Sequence, residues 1–168
     1  DSTLFQNKSW EQQIPILKNA LKSFQGTIFF EFSVPRMGKR VDTIVIIDNV
    51  VFVIEFKVGE NKFLYSNVEQ VWDYALDLKN FHEPSHKAIL VPILIATEAK
   101  KSFINIATTS HNDNLILPIK VSKDDLATAI ENTLLFFKGT DRVNEVVYEK
   151  GKYSPTPTII EAAIYLYN

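Results

Sequence analysis

The chain has no cysteine in its 168 residues. That excludes a disulfide framework and every thiolate metal site, so any metal must be held by oxygen or imidazole, and a reducing cytoplasm is the compartment this composition suits. Net charge is nearly absent as well: 18 Lys+Arg against 20 Asp+Glu leave −2. A broadly basic nucleic-acid binder is excluded by this balance, whereas a small basic patch on a neutral body is not. No apolar run reaches the ~18–20 residues of a membrane helix; the longest, residues 88–96, contains Pro92, and no membrane is expected as a partner. Signal-peptide patterns, internal repeats and low-complexity segments are also missing. No G-x-x-x-x-G-K-[ST] loop occurs, nor a G-x-S-x-G or cysteine nucleophile context, so these residues are not expected to hydrolyse ATP or to act as an acyl-transfer enzyme. Histidine is scarce too. His82 and His86 are four apart, but Pro84 between them breaks the helix that would align them on a metal, and His111 lies in a polar loop.

What is present is enough apolar residue, 46% of the chain, for one domain over residues 1–168 with a sizeable core. The first residue is Asp1 rather than methionine, and the last stretch, TIIEAAIYLYN, reads as a helix still in progress; a longer polypeptide is expected. Residues 10–24 put Trp10, Ile14, Leu17, Leu21 and Phe24 on one helical stripe, with Ser9 as N-cap and Pro15 in the first turns. Residues 28–34 read as a strand ending at Pro35. The segment VDTIVIIDNVVFVIEFK holds two apolar runs around Asp48-Asn49, a pair that tolerates positive φ and suits a tight hairpin turn. Ser66 with Glu69 forms a capping box for a helix running to about Phe81. Residues 88–96 read as a strand buried on both faces, 99–107 as a short helix and 115–119 as a short strand. A second capped helix follows from Ser122 and Asp125 to a stop at Gly139. Residues 140–157 are polar, and a last helix opens near Thr158. This order predicts an α/β protein with three layers, α/β/α, around a central mixed sheet.

A two-residue turn at Asp48-Asn49 fixes the register of the hairpin, pairing Ile47 with Val50 and placing Asp42 opposite Glu55, with Lys57 on the same face. The reading depends on that turn, since one more residue changes the parity. Two opposed carboxylates beside an apolar surface repel and are costly to bury unless a cation sits between them. A hard divalent metal, Mg2+ or Mn2+, takes oxygen ligands of this kind. By the same register Arg40 falls opposite Lys57, so Arg36, Lys39 and Arg40 would gather positive charge at the mouth of the site to neutralise phosphate, or else form a solvated loop. Lys62, Lys79, Lys100 and Lys101 are candidates to extend that basic path.

The segment RVDTIVIIDNVVFVIEFKVGE resembles the core of the PD-(D/E)XK nuclease superfamily, in which an acidic residue, a hairpin and E-x-K form the motif, although Val41-Asp42 stands here in place of Pro-Asp. The following QVWDY places Gln70 and Tyr74 one turn apart on one helix face, and resembles the Q-x-x-x-Y of the RecB-like branch. Strings such as QVWDYALDLKNFH and YSPTPTIIEAA resemble, further, the N-terminal region of bacterial Schlafen-like P-loop DNA/RNA helicase proteins. The superfamily resemblance implies a restriction-endonuclease-like αβββαβ core and metal-dependent hydrolysis of a phosphodiester in nucleic acid, DNA ahead of RNA. It implies Asp42 and Glu55 as metal ligands with the Phe56 carbonyl as a third, Lys57 beside the attacking water, and Gln70 and Tyr74 as orienting residues. Glu31 and Glu11 are weaker candidates for a supporting role. The closer resemblance implies a helicase domain as neighbour and a setting such as phage defence. The alternatives are a catalytically silent module that grips nucleic acid or docks a helicase, and a domain for protein interaction alone.

Overall fold

The computed structural model describes residues 2–138 and 145–154. Helix α1 (Ser2–Leu21) leads into strand β1 (Thr27–Val34), a 3-10 turn at Pro35–Met37, and the hairpin strands β2 (Lys39–Ile47) and β3 (Val50–Lys57). Helix α2 (Tyr65–Phe81) and a 3-10 turn at Glu83–Ser85 carry the chain to β4 (Ile89–Ala96), and β5 (Ile119–Val121), α3 (Leu126–Phe136) and α4 (Glu145–Glu149) complete the elements. The five strands lie side by side in chain order. Neighbours β1/β2 and β2/β3 are antiparallel, while β3/β4 and β4/β5 are parallel; parallel neighbours need a long crossover, and α2 supplies the one between β3 and β4.

Alternation along the strands sends side chains to two separate cores. On one face Val45, Phe52, Ile54, Val91 and Ile93 pack against Leu17 and Ala20 of α1 and Leu126, Ala129 and Ile130 of α3. On the other, Ile44, Ile46, Val51, Val53, Leu90 and Leu94 pack against Val71, Tyr74, Ala75 and Leu78 of α2 and Tyr148 of α4. The fold is therefore α/β in three layers, α/β/α, around a mixed sheet, as the unbroken apolar runs of β3 and β4 require. Pro92 fits inside β4 because the ladder to β5 pauses there. Leu90 bridges Leu115, regular pairing resumes only at Ile93–Ile119, and the missing N–H falls in the gap. Among the described residues no helix is long and apolar enough to cross a membrane.

Several local expectations fail, for identifiable reasons. Ser9 does not cap α1, which starts earlier; its hydroxyl lies inside the helix and accepts from Gln13 Nε2 at 2.6 Å, and Pro15 stands well inside the helix on an exposed face. Ser66 does not open α2 either. Leu64 holds the N-cap position without a side-chain cap, and Glu69 instead takes the Tyr65 hydroxyl one turn earlier. Ser122 and Asp125 form no capping box, because the Asp125 carboxylate accepts from the hydroxyls of Ser102 at 2.6 Å and Ser122 at 3.1 Å, and α3 begins only at Leu126. Residues 99–107 form no helix and are irregular, tied to β5 by the bridge of Phe103 to Lys120. The strand expected at 115–119 is displaced to Ile119–Val121, with only isolated bridges at Leu115 and Ile116 before Pro118. Gly139 and the last helix lie outside the described residues.

The polar segment 140–157 contains α4, whose Tyr148 is fully buried. Its ring stands 4.5 Å from that of His82, and its hydroxyl accepts from Ser85 at 2.9 Å. Tyr148→Ala should cost about 3–5 kcal/mol, as for other large aromatic deletions, and Tyr148→Phe about 1 kcal/mol for the lost hydrogen bond; urea denaturation of the two variants measures both.

Candidate active site at the open end of the hairpin

Asp48 adopts φ 53° and Asn49 gives its side-chain N–H to the Phe137 carbonyl at 2.8 Å, so the turn is both locally competent and anchored from outside. From it the β2/β3 ladder runs in the two-residue register, Ile47 opposite Val50 through Thr43 opposite Ile54. There it stops. Asp42 and Glu55, next in register, make no ladder pair. Instead the Asp42 N–H donates to Glu55 Oε1 at 2.7 Å, and the Phe56 N–H donates to Asp42 Oδ2 at 3.0 Å. Each carboxyl satisfies a backbone amide of the other strand that pairing would otherwise have satisfied.

The break extends to the edge strand. Glu31, between the pairs Phe30–Thr43 and Phe32–Val41, sits across from Asp42 and adopts φ 50°, a left-handed conformation costly for a residue with a Cβ. Phe29 and Ile44 share the α2 face with Phe32 and Val41, three residues away on each strand. Uninterrupted alternation would send them to opposite faces. Both strands therefore turn over at Glu31 and Asp42, which frees the Asp42 carboxyl to reach β3.

Glu55 is 4% exposed and shares the α2 face with Val51 and Val53. Burial first, and the Asp42 charge second, push its carboxyl up to about 8; the Asp42 N–H and Lys57 offset this only in part. Asp42 is also raised by burial, against the opposing pull of the Phe56 N–H, Glu55 and Lys57, while Glu31 pushes it further up. At neutral pH Glu55 is therefore held in its protonated form beside Asp42, and the two carboxyls titrate together rather than independently. Half-buried Lys57 follows on the same face. From α2, Gln70 Nε2 donates to the Tyr74 hydroxyl oxygen at 3.1 Å, leaving the phenol's own hydrogen to donate elsewhere. Burial and the nearby Glu55 and Asp42 push Tyr74 up to about 12, so it stays protonated.

The structure thus brings Asp42, Glu55, Lys57, Gln70 and Tyr74 together. The basic segment before them does not join the group. Arg36 pairs with Asp77 at 3.4 Å and lies 3.5 Å from the centre of the Phe81 ring, tied to the far end of α2. Arg40 is not opposite Lys57, because β2 there pairs with β1; it sits across from Ser33 and 3.5 Å from Glu31. Lys39 is exposed opposite Val34. Glu11 projects to solvent from α1, which covers the other face of the sheet. Lys79 is no part of a basic path: it is buried, donates to the Ala88 carbonyl at 2.6 Å and is pushed down to about 8 by burial. Lys62, Lys100 and Lys101 do line one groove, together with Lys120, which no sequence signal singled out. Glu31's position could have been found by extending the register argument to a third strand.

The donors suit a hard divalent cation. Two carboxyls in hydrogen-bond contact present only oxygen, each has spent one oxygen on an amide, and a cation can replace the proton that Glu55 carries. Phe56 turns its N–H toward Asp42, and in extended backbone the carbonyl of the same residue leaves the strand on the same side. No family model matches the chain, and comparison with curated proteins and with solved structures finds no significant match.

The proton on Glu55 has a measurable consequence. Glu55 binds its proton more tightly folded than at its ordinary value of 4.5, so it stabilises the metal-free protein at low pH and that stabilisation is lost as pH rises toward about 8. His82, pushed down to about 4 by burial, has the opposite slope up to its ordinary 6.5, which leaves Glu55 to dominate from about 6.5 to 8. Urea denaturation in chelator should show stability falling there by up to about 1.4 kcal/mol per pH unit, and Glu55→Gln should remove that fall.

Proposed function

We propose that the chain is a metal-dependent nuclease domain of the PD-(D/E)XK type, hydrolysing phosphodiester bonds of nucleic acid, DNA ahead of RNA, with Mg2+ or Mn2+. The observation that carries this reading is the opposed pair Asp42 and Glu55 at the open end of the hairpin, with Lys57 on the same face. Burying two acids beside an ammonium is costly enough that Glu55 must hold a proton at neutral pH, whereas a site for phosphate chemistry uses that set. Hydrolysis adds the oxygen of water to phosphorus and breaks one P–O ester bond. The bound cation would supply Lewis acidity and a more acidic water. Asp42 and Glu55 would hold it, with the Phe56 carbonyl as a third oxygen. Lys57 places a positive charge where negative charge develops on the phosphate. Tyr74, its oxygen fixed by Gln70, donates a hydrogen toward the carboxyl pair or the substrate. A P-loop helicase neighbour, a cytoplasmic setting and a role in phage defence rest on the sequence resemblance alone.

A second reading is a silent module that binds nucleic acid without cutting it. One observation favours it: the proton on Glu55 and the two amides already satisfy the acid pair, and among the described residues no cluster of three His, Cys, Asp or Glu is available to a metal. Cleavage assays with labelled single- and double-stranded DNA and RNA separate the two. The nuclease reading expects cleavage that needs Mg2+ or Mn2+ and stops with chelator, with Asp42→Ala, Glu55→Gln and Lys57→Ala each losing at least about 100-fold in rate and Tyr74→Phe losing less. Cleavage that survives chelator or these substitutions contradicts it, and tight binding with no cleavage under any condition supports the silent module.

A further inference from the structure

Beyond Lys57, the loop after β3 and the loop after β4 meet and are stitched together. The Thr97 N–H donates to the Lys57 carbonyl at 3.3 Å, the Gly59 N–H to Thr97 Oγ1 at 2.8 Å, and the Glu98 N–H to the Glu60 carbonyl at 2.9 Å. They enclose, with β5, a groove of about 580 Å³ whose wall includes Lys62, Lys100, Lys101, Lys120, Phe63 and Phe103. Among the described residues no acidic one lines it and none of these lysines forms an ion pair. On a chain of net charge −2, four ammoniums without an ion-pair partner gathered along one concavity make a local positive surface, and a polyanion is the ligand that complements it.

Phe103 adds a second, independent feature. It is 48% exposed, yet it is rigidly placed: its N–H donates to the Lys120 carbonyl at 2.7 Å, Phe63 meets it edge to face at 6.0 Å between centroids, and the ammoniums of Lys101 and Lys120 each lie 5.3 Å from its centre. A fixed, half-exposed aromatic ring among lysines suits an unpaired base, which stacks on the ring as the ammoniums lying over it move out to the phosphates on either side; a duplex keeps its bases inside and cannot use it.

We propose that this groove binds single-stranded nucleic acid, stacking a base on Phe103, holding phosphates with Lys62, Lys100, Lys101 and Lys120, and leading the strand to the carboxyl end of β3 where Glu55 and Lys57 stand. The inference deepens the nuclease reading, and its test is a binding measurement that needs no cleavage. Fluorescence anisotropy in chelator compares a labelled oligothymidine of about 12 nucleotides, an abasic oligomer of equal length and a duplex. The full chain should prefer the single strand. Lys101→Ala with Lys120→Ala should weaken it at least about tenfold and lower the salt slope by about 0.7 per lost phosphate contact. Phe103→Leu, which keeps the apolar packing, should weaken oligothymidine about tenfold and leave the abasic strand unchanged. Absence of single-strand binding, unchanged affinity in folded variants, or equal loss on the abasic strand overturns the proposal. If the groove binds as described and added Mg2+ or Mn2+ produces no cleavage, the groove stands and the nuclease reading falls; cleavage with unaltered binding by the groove variants gives the reverse.

Discussion

Two acidic side chains facing each other across a hairpin set a problem that the surrounding structure is arranged to meet. Asp42 and Glu55 are drawn inside by the apolar strands that carry them, and neither can be buried there as a bare charge. The chain supplies what they need at short range: two backbone amides, a proton on Glu55 and the Lys57 ammonium. Those amides are available only because β2 and β3 stop pairing after Thr43 and Ile54, and the strands can part there because β1 and β2 turn over at Glu31 and Asp42. The opened ladder, the left-handed Glu31 and the raised pKa of both acids are consequences of one constraint.

The mixed sheet places everything else around that point. Strand β3 is antiparallel to β2 and parallel to β4, so the carboxyl end of β3 lies beside both the acid pair and the loops that follow the parallel strands. In open α/β sheets that end is where ligands are held. The crossover helix α2 returns over the same face and lowers Tyr74 and Gln70 onto it. His82 stands apart from the site: it is buried against Tyr148 and bonded through Nδ1 to Ser85 at 2.8 Å, a packing role.

Much of this was legible in the sequence because strand pairing is arithmetic once a turn is known. Asp48-Asn49 set the register, the register opposed Asp42 and Glu55, and the strand period put Lys57 on their face. Helical spacing alone joined Gln70 to Tyr74. Capping was less legible, because Ser122 and Glu69 each had a competing partner a few residues away or in another segment, Ser66 falls inside a helix that begins one residue earlier, and composition does not rank such partners. The Arg40 expectation failed by extending a ladder past the point where the acids break it. Lys120 and Tyr148 were hidden because their neighbours, Phe103 on an irregular loop and His82 beyond α2, come from distant parts of the chain.

If the acid pair holds a divalent cation as proposed, the cation takes the place of the proton that Glu55 carries near neutral pH. Calorimetric titration of the metal-free protein with Mn2+ near pH 6.5, in two buffers of different ionisation enthalpy, reads that exchange directly. The account predicts one cation bound per chain with release of about one proton, both lost in Asp42→Ala. Binding without proton release, or binding that Asp42→Ala leaves unchanged, would contradict it.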